Sequence, residues 1–209
     1  MELDLSDEAL VEKFRQTGDA IYFKTLVRRY QNRIFSAAYR MLGSKEEAEE
    51  VTQDTFVRMH QNLDNFKRQA TFGAWLFRIA HNQCIDVLRA RQRKKGVKVL
   101  PFNPSSTLEP GEEDGYMIGQ LADDGPSPGQ SLDLSEQTGI IFESLKKLPE
   151  TQRAVLVLHD IEGFSYQEIA DIVGTNLGTV RSRLHYGRLK MKELLDPYFS
   201  TNSQPATSR

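Results

Sequence analysis

Residues 165–192, SYQEIADIVGTNLGTVRSRLHYGRLKMK, decide the fold of their half of the chain, because they predict two short helices joined at a glycine. The stretch opens with a serine, and Glu168 three residues later completes the pattern of a capping box, which begins a helix. Gly174 is suited to end that helix with a positive φ. Thr175 or Asn176 is suited to cap the next one. The pattern is typical of a helix-turn-helix.

The second of these helices carries a basic surface without an acidic residue. Its basic residues are Arg181, Arg183, Arg188, Lys190 and Lys192. The side expected to face inward holds Val180 and Leu184, with Leu189 as a further candidate. A basic helix after a tight turn fits the major groove of DNA. The alternative is a solvated surface on an ordinary helix pair, so this stretch alone leaves DNA binding open.

Composition limits the classes of protein that fit this chain. It has 209 residues, 39% of them hydrophobic and 27% charged, which is ordinary for a soluble globular protein. The single cysteine, Cys84, excludes an internal disulfide, and the four histidines show no ligand spacing, so we expect no metal and no other cofactor. No apolar run is as long as a membrane span, and the acidic N-terminus has no signal-peptide core. We therefore expect a cytoplasmic protein without membrane insertion.

Apolar spacing and turn-forming residues divide the chain into two helical domains, so we expect an all-α fold. Residues 1–95 and 135–198 hold apolar residues at helical spacing. Residues 96–134 hold one lysine, seven acidic residues and five prolines, a net charge of −6 that is typical of a flexible acidic linker. Such a coil spans roughly 35 Å on average and on the order of 130 Å when extended. We expect residues 199–209 to be a disordered tail.

Three motifs occur in an order and spacing that resemble one protein family. They are EAEEVTQDTF at residues 47–56, FGAWLFRIAHNQCIDVLR at residues 72–89 and LPETQRAVLVLHDIEGFSYQEIADIVGTNLGTVRSRLHYGR at residues 148–188. With Leu63-Asp64-Asn65-Phe66 between the first two, the chain resembles an alternative bacterial sigma factor of the extracytoplasmic-function group. The resemblance covers nearly the whole chain apart from the linker and the tail.

The resemblance implies a dissociable promoter-specificity subunit of RNA polymerase that is not an enzyme. Residues 1–95 would be sigma domain two, which binds the polymerase clamp and melts the minus-ten element. Residues 135–198 would be sigma domain four, which binds the minus-thirty-five element and the polymerase flap. The implied partners are core RNA polymerase, promoter DNA in duplex and single-stranded form, and an anti-sigma factor. We expect the free chain to be a monomer.

A stand-alone helix-turn-helix regulator is the alternative function. It would bind a palindromic site as a dimer, without polymerase. That alternative does not explain the acidic residues of the motif at 47–56, nor the pair Arg78 and Asn82 in the motif at 72–89. A scaffold that sequesters other factors would not need a basic reading helix.

The acidic linker has two open interpretations, a mimic of nascent RNA in the polymerase and a simple tether.

The acidic helix matches the family motif that binds core polymerase. The matching residues are Glu49, Glu50, Gln53 and Asp54. Their negative charge would complement basic residues on the clamp and fix the docking register. The alternative for such a run is a solvated acidic face.

A loop and the helix after it match the family's minus-ten binding positions. The implied residues are Phe66, Lys67, Arg68, Phe72, Arg78 and Asn82. Aromatic rings beside basic residues suit the capture of unpaired bases. Asparagine can read a base edge and arginine can also bind phosphate. For Trp75, core packing is favoured over base stacking.

The helix-turn-helix matches the minus-thirty-five recognition positions. The implied residues are Tyr166, Gln167, Arg181, Ser182, Arg183, His185 and Tyr186. The first two lie at a helix N-terminus, which suits phosphate contact. Which of the two arginines reads bases stays open.

Overall fold

Helices are the regular elements of the part of the chain that the structure describes. The computed structural model describes residues 4–67, 69–94 and 131–199. The helices are α1 (Asp7–Thr17), α2 (Ala20–Leu42), α3 (Lys45–Asn62), a 3-10 turn (Leu63–Asn65), α4 (Phe72–Lys94), α5 (Ser131–Lys146), α6 (Glu150–Leu156) with a π turn (Val157–Ile161), α7 (Tyr166–Val173) and α8 (Leu177–Phe199). The predicted all-α fold is confirmed.

The predicted linker and tail fall mainly outside the described residues. Residues 95–130 and 200–209 are not described, so the predictions made for them are not addressed by the structure. Helix α5 begins at Ser131, inside the stretch predicted as linker. The bounds of the linker stay a prediction.

The helix-turn-helix forms through the caps that its sequence predicts. The Ser165 hydroxyl accepts from the Glu168 N–H at 3.3 Å, and the Glu168 carboxylate accepts from the Ser165 N–H at 3.0 Å. Gly174 ends α7 at φ 67°. Of the two candidates to cap α8, Asn176 does so, since its Oδ1 accepts from the Thr179 N–H at 2.8 Å.

The prediction that Leu189 of α8 faces inward is wrong. Val180 and Leu184 are buried, but Leu189 is 48% exposed and Met191 is buried in its place. Each residue turns a helix by about 100°, so a position five residues after Leu184 points well away from it, whereas the position seven residues after it returns to the same face.

The cap of α3 forms only in part as a capping box. The Ser44 hydroxyl accepts from the Glu47 N–H at 3.3 Å. The Glu47 carboxylate, however, accepts from Arg91 of α4, with Nε at 3.0 Å. A charge-assisted bond to a guanidinium is stronger than a bond to a backbone N–H. The glutamate therefore joins α3 to α4.

The two halves of the described chain pack directly on each other. Phe77 of α4 meets Phe164 edge to face, with ring centroids 4.9 Å apart. Arg153 of α6, which is buried, donates to the Met41 carbonyl of α2 at 2.7 Å. Helix α7 also packs against α4. The arrangement in which the halves touch is called the closed arrangement below.

Candidate nucleic-acid interface

Four residues predicted to contact the minus-thirty-five element form an exposed patch on α7 and α8. This patch, the upstream surface, consists of Gln167, Arg181, His185 and Tyr186. The rings of His185 and Tyr186 meet edge to face at 5.3 Å. Because Val180 and Leu184 fix the helix in the core, these side chains project from a rigid backbone. Such a helix can enter a major groove without rearrangement.

The other three predicted upstream residues are partly covered. The Tyr166 ring packs on the His159 ring at 4.9 Å. The Ser182 hydroxyl donates to the Thr179 carbonyl at 3.1 Å. Arg183 is half-buried, and that burial lowers its pKa. Between the two arginines that the sequence left open, the exposed Arg181 is the better placed to reach a base.

Arg188 belongs to the packing of α8 and not to its exposed basic surface. Its Nη2 donates to Oδ1 of Asp160 at 2.5 Å and its Nε to Oδ2 at 3.1 Å. The Asp160 side chain is 2% exposed, so its carboxylate is nearly free of water. The hydrogen bond with this carboxylate raises the pKa of Arg188. The forked contact joins α8 to the π turn.

The predicted minus-ten helix presents two of its residues to solvent. Arg78 and Asn82 are exposed and lie one turn apart on α4. With the exposed Lys67, they form what is called the downstream surface below. Arg68 lies outside the described residues. Basic and amide groups so placed can bind phosphate and base edges.

The two aromatic residues predicted to contact unpaired bases are core residues. Phe66 is 4% exposed and Phe72 is fully buried, with their ring centroids 5.7 Å apart. Trp75 packs against both, at 5.4 and 5.7 Å, in agreement with the preference for core packing. Burial of apolar rings is favoured in the free protein. A contact of either phenylalanine with a base stays a prediction, and it requires the loop to rearrange.

His81 is a buried titratable group next to the downstream surface. Burial is the main cause that lowers its pKa to about 4; the charges of Arg183 and Arg89 act in the same direction, and a side-chain hydrogen bond with Asn82 opposes them. Arg183 belongs to the second half of the chain. His81 therefore lies where α4 and the helix-turn-helix meet, and it stays neutral at ordinary pH.

The residues predicted to bind core polymerase share one exposed face of α3. All four, Glu49, Glu50, Gln53 and Asp54, are exposed. One turn further along the helix is an apolar groove of about 320 Å³. It is lined by Phe23, Phe56, Val57, His60 and Gln61. The 53% exposure of Val57 was missed in the sequence. The sequence did carry a signal: Val57 lies four residues after Gln53 and three after Asp54, a spacing that places it on the same face of the helix.

Two polar contacts bring the upstream and downstream regions side by side. The Thr71 hydroxyl, at the start of α4, donates to Oε1 of Glu168 in α7 at 2.9 Å. Arg33 of α2 donates to Oε2 of Glu162 at 3.1 Å. Burial raises the pKa of Glu162, and Arg33 opposes that shift. The closed arrangement is thus held by polar as well as apolar contacts.

Comparison with known proteins identifies the family. The sigma-70 region 2 family matches residues 26–94, and the sigma-70 region 4 family matches residues 138–191. The ECF RNA polymerase sigma factor SigW of Bacillus subtilis is 35% identical, and the match covers 85% of this chain and 91% of SigW. The chain belongs to the extracytoplasmic-function (ECF) sigma factors, which are transcription initiation factors and not enzymes.

Two solved structures share the fold. One is CnrH in complex with the cytosolic domain of CnrY, with a TM-score of 0.63 and 26% identity over 92% of this chain and 98% of that one. The other is the sigma factor RpoE in complex with the anti-sigma factor NepR from Bartonella quintana, with a TM-score of 0.60 and 25% identity over 83% and 96% of the two chains. Both were solved with a partner bound.

The described part of the chain has neither a cluster of metal ligands nor a membrane-spanning helix. No group of three or more histidine, cysteine, aspartate or glutamate side chains in that part of the chain could hold a metal ion. None of the helices described is both long and apolar enough to cross a membrane.

Proposed function

We propose that this sigma factor acts in the cytoplasm and divides its work between two domains. Residues 1–95 bind the polymerase clamp and the minus-ten element, and residues 135–198 bind the minus-thirty-five element and the flap. The observation that carries the proposal is the pair of exposed surfaces. Each lies on an element matched to the corresponding sigma region, with its reading side chains open to solvent. The acidic face of α3 supplies a third surface for the polymerase.

The closed arrangement has to open before both promoter elements can be bound. Duplex DNA rises about 3.4 Å per base pair, so elements about 25 base pairs apart are separated by roughly 85 Å. The hydroxyl of Thr71 lies 2.9 Å from the carboxylate of Glu168, so the two regions are adjacent in the closed arrangement. Binding to polymerase and promoter therefore separates α7 from α4.

An anti-sigma factor is the proposed inhibitor. Two structurally similar proteins, CnrH and the sigma factor RpoE, were solved with a partner, and the partner of RpoE is named an anti-sigma factor. A protein that binds the closed arrangement better than the open one shifts the population toward the closed arrangement. Such a partner would withhold both surfaces from the promoter at once. A pull-down from native cells that recovered only core polymerase would contradict this part of the proposal.

Run-off transcription tests the main proposal. Bacterial core polymerase is incubated with and without this protein on a pool of genomic promoters, and the transcripts are sequenced. New transcripts with aligned start sites, and with two shared upstream elements, are the expected result. Absence of transcripts together with absence of core binding would favour the stand-alone regulator, and a dimer on a palindromic duplex would establish it.

Two variants separate the surfaces in the same assay. Asn82→Ala should reduce transcription while the amount of core-bound protein is unchanged. Arg181→Ala should make transcription insensitive to mutations in the upstream element. A variant at neither surface, Lys13→Ala on the exposed side of α1, serves as the matched control. Equal behaviour of the three variants would contradict the assignment of the surfaces.

A further inference from the structure

Helix α1 lies before the residues matched by the region 2 family, yet it holds both ends of the predicted base-capture loop. The family match begins at residue 26, whereas α1 spans Asp7–Thr17. The described residues of this loop, 66–67 and 69–72, lie between the 3-10 turn and the body of α4. The side chains of α1 reach it at its first and its last residue.

At the first residue of the loop, the contact is made by Arg15. Its Nη2 donates to the carbonyls of Leu63 and Phe66, the latter at 2.9 Å. Its Nε also lies 3.8 Å from the exposed Asp64 carboxylate. One guanidinium thus fixes the backbone where the 3-10 turn passes into the loop.

At the last residue of the loop, the contact is made by Glu8. Its Oε1 accepts from the N–H of Phe72, the first residue of α4, at 3.1 Å. The first N–H groups of a helix lack partners within the helix, and a carboxylate there is also favoured by the helix dipole. Thr71 Oγ1 accepts from Ala74 N–H at 3.3 Å and so caps the same turn.

Helix α1 is itself fixed to the body of the protein. Asp7 accepts from Arg29 at 2.7 Å and from the hydroxyl of Tyr30 at 2.5 Å. Leu10 and Val11 are fully buried. A helix anchored in this way can hold the loop in place against α4.

We propose that Glu8 and Arg15 are positioning residues for base capture by the loop of residues 66–72; this inference rests on the proposed function. Both bind backbone atoms at the ends of the loop and not its side chains. With the backbone held at both ends of the loop, the rings of Phe66 and Phe72 can leave the core while the loop backbone keeps its course. Preorganisation of this kind lowers the entropy cost of binding an unpaired base.

The first test uses the free protein, and Trp75 reports on the loop. It is the only tryptophan of the chain and packs against Phe66 and Phe72. Acrylamide quenching of its fluorescence is measured well below the unfolding temperature. Arg15→Gln should raise quenching, Arg15→Lys should raise it less because one bond survives, and Lys13→Gln, which removes an exposed charge from the same helix, should not change it.

The second test measures base capture by the protein bound to core polymerase. The probe is a single-stranded non-template oligonucleotide that covers the minus-ten element of a promoter mapped by run-off transcription. Arg15→Gln should weaken its binding about tenfold, the worth of a hydrogen bond to a charged group. Core binding and binding of the duplex upstream element should be unchanged. Glu8→Gln, which keeps an acceptor for the Phe72 N–H, should retain more affinity than Glu8→Ala.

The outcomes separate this inference from the proposed function. Equal oligonucleotide binding by Arg15→Gln and the wild type would overturn the inference alone, and so would a parallel loss of core binding, which indicates a general structural role. A wild-type protein that binds core but captures no oligonucleotide would overturn base capture, and with it both proposals. If Arg15→Gln does not fold, Arg15→Lys and the two Glu8 variants give the same comparison.

Discussion

The upstream and downstream regions differ in how many of the side chains predicted to contact DNA are exposed. On the upstream surface, Arg181, His185 and Tyr186 project from a helix that is fixed in the core. Around the downstream surface, Arg78 and Asn82 are exposed, but Phe66 and Phe72 are buried. The difference follows from the two predicted tasks: the residues predicted to read duplex are polar and stay at the surface of a rigid helix, whereas the rings predicted to capture bases are apolar, and the free protein buries them.

The strongest test of this comparison is the burial of Phe72. Replacement by alanine should lower the free energy of unfolding by about 3–5 kcal/mol, because a fully buried ring in contact with Tyr30, Phe66 and Trp75 would be lost. Urea unfolding followed by circular dichroism measures the change. Lys67→Ala, in the same loop but exposed, should stay within about 0.5 kcal/mol of the wild type. An equally small effect of Phe72→Ala would mean that the ring is already exposed in solution.

Two arginines of α8 should separate packing from DNA contact. Arg188→Ala leaves the buried carboxylate of Asp160 without its forked partner, so it should lower the free energy of unfolding by about 3 kcal/mol. Arg181→Ala should change it by less than about 0.5 kcal/mol, yet weaken recognition of the upstream element. Unfolding curves and promoter-mutant profiles of the two variants check this. Equal stabilities would show that the forked contact adds nothing in solution.

Low pH should weaken the region where the two surfaces meet. The pKa of His81 is lowered to about 4 in the folded protein, below its ordinary value of 6.5. The unfolded state therefore binds more protons between these values, so the stability present above pH 6.5 is lost as the pH falls toward 4. The loss should reach about 2 kcal/mol near pH 5. Urea unfolding from pH 7 to 5 measures it. His81→Gln should be less pH-dependent, and identical slopes would contradict burial of the neutral ring.

The smallest expected change comes from an exposed residue of the downstream surface. Asn82→Ala should weaken minus-ten recognition by about 1–3 kcal/mol, the worth of a well-placed side chain on a base edge. Stability and core binding should not change, because the side chain is exposed. Open-complex formation on a mapped promoter is the measurement. If it is unaffected, the exposed residues of α4 have a different role from those of α8.

Local signals in the sequence were enough to predict the helix-turn-helix. Ser165, Glu168, Gly174 and Asn176 act through bonds to backbone groups only a few residues away, so their spacing alone indicates where α7 and α8 begin and end. Exposure of Arg78 and Asn82 followed equally from helical period. Leu189 shows where such signals fail: the residue is apolar, but its position around the helix places it at the surface.

Residues whose role depends on a distant partner could not be assigned in this way. Glu47 has the spacing of a capping box, but its carboxylate binds Arg91 of another helix. Arg188 matches the basic surface of α8, but Asp160 holds it in the core. The composition of the 66–72 loop suits base stacking, and it suits core packing equally well. In each case the side chain has a local and a distant candidate partner, and the packing of the helices decides which of the two it contacts.

The sequence by itself determined the all-α class, the caps of the helix-turn-helix and the family, because these depend on local bonds and on motif order. Tertiary structure alone decided that the two halves meet through Phe77 and Phe164, that Phe66 and Phe72 are buried, and that α1 holds the loop. Those features arise from contacts between residues far apart in the chain. Their free energy depends on which apolar and charged groups are removed from water together, and a linear pattern does not carry that information.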